Sequence, residues 1–207
     1  MRARKLRLTF ATRNPHKTRE LAALFGNEVE LTDLTGRPDL PAVEETGATF
    51  AENATLKACA VSRAVAGLVV ADDSGLEVDV LGGAPGVFSA RYAGESASDR
   101  ENVAKLLFEL DRLAASAEPI TARFHCVLVL AKEGGLLATA AGSVEGRIIR
   151  HARGVGGFGY DPIFVTDGFE ETFSELSAET KNRISHRAAA VARLRDSLLR
   201  LEPNADY

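Results

Sequence analysis

Segments that read as strands alternate with segments that read as helices, and one long hairpin follows. That order restricts the fold more than any other feature of the chain. Leu6 to Ala11 reads as a strand; Asn14 then caps a helix with Pro15 at its first position, and Gly26 stops that helix after Phe25. Val29 to Leu34 predicts a second strand, and Gly36, Pro38 and Pro41 mark a loop. From Thr49, apolar residues recur at helical spacing (Phe50, Ala54, Ala58, Val61, Val65), and Gly67 ends the run. Leu68 to Ala71 is a short apolar strand that leads into Asp72-Asp73-Ser74-Gly75, and Gly82 to Gly86, with Pro85, is a loop. Ser98 and Glu101 form a capping-box pattern ahead of Val103, Leu106, Leu110 and Leu113. Arg123 to Ala131 and Leu136 to Ile149 are long β segments turned at Gly134-Gly135. A helix from Ser185 carries Val191, Leu194, Leu198 and Leu201 on one stripe. Together these predict an α/β protein with a mixed sheet.

At 207 residues the chain fits one well-buried domain and is too short for two full enzyme domains. The net charge of −4 disfavours a nucleic-acid binder, which normally carries a basic balance. No apolar run approaches the roughly 18 residues that span a bilayer, so no membrane partner is expected. Arg7 interrupts the apolar start, which argues against a secretion signal. Cys59 and Cys126 form no CxxC pair; they read as buried small hydrophobes in a reducing, cytoplasmic setting.

Charge is unevenly placed. Residues 1–19 carry Arg2, Arg4, Lys5, Arg7, Arg13, Lys17 and Arg19 and no acid, and residues 181–200 are also basic. Residues 44–79 are rich in acids. If these regions meet, cations face carboxylates, as a polyanion bound through a divalent metal requires. Solvated faces and salt bridges are the plainer alternative.

Five segments have the residue types for chemistry. Thr12-Arg13-Asn14-Pro15-His16-Lys17 lies between a strand end and a helix start, where free amides and added cations suit an anion; a capped helix with surface basics is the alternative. Asp72-Asp73-Ser74-Gly75 lies at a strand end, where one carboxylate could hold Mg²⁺ and deprotonate a water, or where Asp and Ser could simply build a turn. Glu44-Glu45 precedes Asn53 and Lys57, four apart on one helical face, and Glu45 is a candidate second metal ligand or part of a solvated acidic loop. Arg153 to Pro162 contains GxGxxG, but no helix follows and Pro162 comes at once, so a Rossmann reading fails. What remains is a glycine-held loop presenting Phe158 and Tyr160, either to stack on a base or as buried turn aromatics. Finally, Arg187 shares the inward stripe of its helix and needs a partner, a carboxylate or a ligand carbonyl.

Taken together and in order, the segments ATRNPHK (11–17), EETGATFAENATLKA (44–58), ADDSGLEVDVLGGAPGVFSARYAG (71–94), RFHCVLVL (123–130), GVGGFGYDPIF (154–164) and KNRISHR (181–187) resemble the inosine triphosphate pyrophosphatase family, its bacterial branch above all. The resemblance runs from about Leu6 to Leu201, within a single domain of residues 1–207. It implies an elongated mixed sheet flanked by helices, two lobes with the active cleft between them, and a homodimer. It implies that Thr12, Arg13, Asn14, Pro15, His16 and Lys17 bind the triphosphate, although several relatives have a small residue where Arg13 stands. It makes Asp73 the catalytic carboxylate and, with Glu45, a ligand of Mg²⁺. Ser74, Phe158, Gly159, Tyr160, Asp161, Lys181, His186 and Arg187 become substrate contacts.

The implied reaction is hydrolysis of dITP, ITP and XTP to monophosphate and pyrophosphate. Arg187 or Lys181 would offer donors to a 6-oxo purine. Alternatives are a pyrophosphatase for another modified nucleotide, a non-catalytic nucleotide sensor, or a nucleic-acid-binding module using the basic ends. Retention of Asp73, Glu45 and Lys17 speaks against the sensor.

Overall fold

The computed structural model describes residues 5–40, 42–113 and 119–201. Arg2, Arg4 and Pro41, invoked above, lie outside these, as does the side chain of the stripe position Leu201.

Strand β1 (Leu6–Phe10) leads into helix α1 (Pro15–Phe25), which returns the chain to β2 (Val29–Asp33), parallel to β1 in the register Leu6↔Val29. Helix α2 (Phe50–Ala64) then brings β3 (Leu68–Val78) alongside the other edge of β1, again parallel, with Leu8 opposite Leu68. Helix α3 (Asp99–Arg112) precedes β4 (Ile120–Lys132) and β5 (Gly135–Ile148). The short β6 (Phe164–Thr166) pairs antiparallel with β5. Helices α4 (Ala178–Ile184) and α5 (His186–Leu201) end the described chain. The sheet order is β2-β1-β3-β4-β5-β6, so the sheet is mixed and helices accompany it, as expected from the alternation.

Local signals explain the helix starts. The Asn14 side chain accepts from His16 N and Lys17 N, and Thr49/Glu52 and Ser98/Glu101 form reciprocal capping boxes. The β4–β5 turn sits one residue earlier than read from the sequence. Its central pair is Glu133 and Gly134, both at positive φ (51° and 82°), the requirement of a two-residue turn between twisted strands.

Three expectations are corrected. The pair Asp72-Asp73 is not at a strand end, because β3 continues through Ser74 and Gly75 to Val78. The strand tolerates its acids because each has a cation partner, described below. Leu113, placed on the apolar stripe of α3, caps the helix and is half exposed; Leu106 and Leu110 carry the burial. Cys126 is buried, but beside a carboxylate rather than in apolar surroundings, and Cys59 is only partly buried. Helix α4 and β6, each seven residues or shorter, carried no periodicity long enough to read.

The chain divides into two compact units. One takes the chain up to Asp73, Cys126–Gly142 and the chain from Arg187 on; the other takes Ser74–His125 and Ser143–His186. The first has a core of Leu8, Phe10, Leu21, Phe25, Leu128 and Leu194 with their neighbours. The second has its own, around Leu76, Leu106, Leu110, Phe124, Phe164 and Phe173.

Candidate active site

The first unit gathers charges on both faces of β3. Consecutive strand residues point to opposite sides, so Asp72 and Asp73 meet different neighbours. Asp72 is a buried hub. It accepts from Lys17 Nζ (2.5 Å), Arg187 Nε (2.9 Å) and the Cys126 thiol (3.2 Å). Burial alone would raise its pKa, but Arg187 and Lys17 outweigh that and hold the carboxyl well below the usual range. Burial together with the Asp72 charge pushes the Cys126 thiol well up, so it stays a neutral donor. Arg187 is 1% exposed, and its second carboxylate partner is Glu20 of α1.

On the other face, Lys57 Nζ of α2 lies 2.8 Å from Asp73 Oδ1 and 2.9 Å from Glu45 Oε1. Burial raises the Asp73 pKa; Lys57 offsets part of this and the charge of Glu45 adds to it. Lys57 keeps its proton because Asp73 and Glu45 outweigh the burial that would strip it. Asp73 Oδ2 is buried with no hydrogen-bond partner among the described residues. A buried carboxylate oxygen without a donor is expensive unless something else meets it. Two hard carboxylates gathered by the Lys57 ammonium, one with an oxygen to spare, have donor chemistry that suits Mg²⁺. That ion takes one or two protein carboxylates and completes its shell with phosphate and water. No group of three or more His, Cys, Asp or Glu side chains is placed to hold a metal among the described residues.

In the segment Thr12–Lys17 the capped-helix alternative holds. Asn14 N donates to Thr12 Oγ1 (3.1 Å), and His16 N and Lys17 N donate to Asn14 Oδ1 (2.9 and 3.3 Å). These helix-start amides are therefore capped by the segment itself, and Pro15 has none to offer. An anion would be met mainly by the side-chain charge of Lys17. Arg13 donates to the carbonyls of Arg37 and Leu40, strapping the following loop to the segment. His16 Nδ1 lies 2.9 Å from Arg19.

The second unit holds the loop that carries Phe158 and Tyr160. Asp161 Oδ2 accepts from Phe158 N (2.8 Å) and from Lys181 Nζ (2.5 Å). Gly157 permits this approach: it sits at φ 71°, and a Cβ there would lie 2.1 Å from Asp161 Oδ2. Lys181 Nζ lies over the rings of Phe158 (5.1 Å) and Phe173 (5.6 Å). His186 stacks on Phe124 at 4.9 Å, and Phe124 in turn packs on Phe164 and Phe173. Tyr160 is buried and its hydroxyl donates to the Ser89 carbonyl (2.9 Å). Of the two aromatics expected to face a base, only Phe158 remains partly exposed. Ser74 is a half-buried residue of β3.

The structure thus brings Lys17, Glu45, Asp73 and Arg187 into the first unit, and Phe158, Gly159, Asp161, Lys181 and His186 into the second. Sequence reasoning missed Glu20, which shares the α1 face of Lys17 at i+3, and gave Asp72 no definite role. Of the two partners the sequence left open for Arg187, a carboxylate or a ligand carbonyl, the structure supplies carboxylates, those of Asp72 and Glu20.

Comparison with known proteins identifies the family. The model of the Ham1 family matches residues 8–197. The chain belongs to the Ham1 family. It is 53% identical over 188 residues to the dITP/XTP pyrophosphatase of Geobacillus kaustophilus, covering 90% of this chain and 91% of that protein. With the dITP/XTP pyrophosphatase of Geobacter sulfurreducens the identity is 50% over 194 residues, 93% and 96% of the two chains. The solved structure of a HAM1 protein from Coxiella burnetii superposes with a TM-score of 0.82 at 39% identity, covering 94% of this chain and 99% of that one. The Staphylococcus aureus Ham1 protein gives 0.81 at 38% identity, covering 95% and 100%.

Proposed function

We infer that this chain is a nucleoside triphosphate diphosphatase that hydrolyses the non-canonical purine nucleotides dITP, ITP and XTP to monophosphate and pyrophosphate. The observation that carries the reading is Asp73: a buried carboxylate with one oxygen held by Lys57 and the other without a donor among the described residues. Relatives about half identical over nine-tenths of the chain bear the name dITP/XTP pyrophosphatase, which supports the same substrates.

The roles follow from the contacts. Lys17 meets phosphate charge, and Asp72, anchored by Arg187, holds its ammonium in place. Lys57 keeps Glu45 and Asp73 together before substrate arrives. The Asp73 carboxylate orients a water and accepts its proton as the water attacks the α-phosphorus and pyrophosphate leaves. Glu45 and Asp73 are the residues that would hold Mg²⁺; when bound, it offsets phosphate charge and polarises the phosphoryl oxygens. Phe158 offers a face to the purine, and Lys181, fixed by Asp161, donates to its 6-oxo group. Adenine presents an amino donor at that position, and two donors facing each other cost on the order of 1–3 kcal/mol. Thr12, Asn14, Pro15 and His16 shape the segment that carries Lys17, with Arg13 bracing it. Ser74, Gly159, Tyr160 and His186 complete the proposed substrate contacts.

The proposal extends to a single-domain homodimer working in the cytoplasm. Among the described residues, no helix is long and apolar enough to cross a membrane. Replacing Asp73 by Asn keeps the side chain's size and removes its basicity. Asp73→Asn should lower kcat by at least about a hundredfold while ITP binding, read by calorimetry, stays within about threefold. Near-wild-type turnover in that variant would remove Asp73 from the catalytic role.

A further inference from the structure

Two consecutive backbone amides flank Phe158, and each is taken by a carboxylate from a different place. Phe158 N donates to Asp161 Oδ2 (2.8 Å), within the same loop. Gly159 N donates to Asp99 Oδ2 (2.7 Å), from the first residue of α3, 60 positions away in the chain. The first bond fixes the peptide before the Phe158 Cα and the second fixes the peptide after it. Both torsions of Phe158 are then set, and with them the direction in which its ring leaves the backbone.

The anchor at Asp99 is itself rigidly mounted. Asn102, one turn further along α3, is buried; its Oδ1 accepts from Ala93 N (2.8 Å) and its Nδ2 donates to Ala90 O (3.1 Å). Ala90 adjoins Ser89, whose carbonyl receives the Tyr160 hydroxyl. The start of α3, the segment 89–93 and the loop 158–161 therefore close a ring of hydrogen bonds. Glycine at 159 lets the loop turn toward α3, since its φ of 61° is one that other residues rarely adopt.

We propose that Asp99 is a positioning residue for purine recognition: it clamps the Gly159 amide and so fixes the Phe158 ring. The proposal rests on the reading of Phe158 as the ring that faces the base. Asp99 is exposed, at the first turn of a helix whose own capping box (Ser98 and Glu101) does not use it. Replacing it leaves the core intact.

The test compares Asp99→Ala with Asp99→Asn, whose amide oxygen still accepts. In Asp99→Ala, KM for dITP and XTP should rise roughly three- to tenfold, with kcat within about twofold of wild type. Amide hydrogen exchange at Gly159 should quicken by a similar factor. Asp99→Asn should restore both. Unchanged KM in Asp99→Ala, a fall in kcat alone, or an Asn variant no better than Ala would each overturn the proposal. If the wild-type enzyme released no pyrophosphate from these nucleotides, the substrate reading would fail. The exchange of Gly159 would still judge the clamp, and an unchanged rate in Asp99→Ala would refute it.

Discussion

Asp72 and Asp73 are neighbours with the same side chain and different fates. Asp72 is engaged by Arg187, Lys17 and Cys126 and is held ionised, while Asp73 has an oxygen with no donor among the described residues. The difference arises because a strand turns alternate side chains to opposite faces, and only one face carries Arg187. Arg187→Leu would leave Asp72 buried with one fewer cation. A loss of about 3–5 kcal/mol is expected in a urea melt. A change within about 1 kcal/mol would mean that Lys17 and Cys126 suffice to hold Asp72. Gly157 is a residue-scale constraint of another kind, because any side chain there collides with the Asp161 carboxylate. Gly157→Ala should therefore separate Asp161 from the Phe158 amide and raise KM for dITP by about tenfold or more; an unchanged KM would show that the loop has room to yield.

At the scale of elements, what the sequence revealed was what neighbouring residues decide. Asn14 before Pro15, and Ser98 three positions before Glu101, satisfy helix-start amides within one turn, so both starts were readable. The reading of Asp72-Asp73-Ser74-Gly75 as the end of a strand failed because the residue that makes Asp72 tolerable in mid-strand is Arg187, 115 positions away. Tyr160 looked available to a base for the same reason: its hydroxyl partner is a carbonyl at Ser89, which no local pattern announces. The candidate residues themselves were legible because they cluster in short motifs. Their division between a charged set and an aromatic set was not, since it depends on which unit each strand half joins. The β4–β5 turn gives an element-scale prediction. Glu133 holds φ 51°, a strained value for a residue with a side chain, whereas Asn favours it. Glu133→Asn should stabilise the protein by about 0.5–1 kcal/mol in thermal or urea unfolding and leave activity unchanged; destabilisation would mean that the Glu133 side chain matters to the turn.

For the whole molecule, two cores serve two sets of side chains. The first unit holds lysines and carboxylates suited to phosphate and a divalent metal; the second holds an aromatic loop and a lysine suited to an oxo-purine. The most direct test is release of pyrophosphate from dITP, ITP, XTP, GTP and ATP, each with Mg²⁺ and with the metal chelated. The account predicts release that requires the metal and favours dITP, ITP and XTP over ATP by roughly tenfold or more. Release of orthophosphate instead of pyrophosphate, equal rates on ATP, or full activity without metal would contradict it.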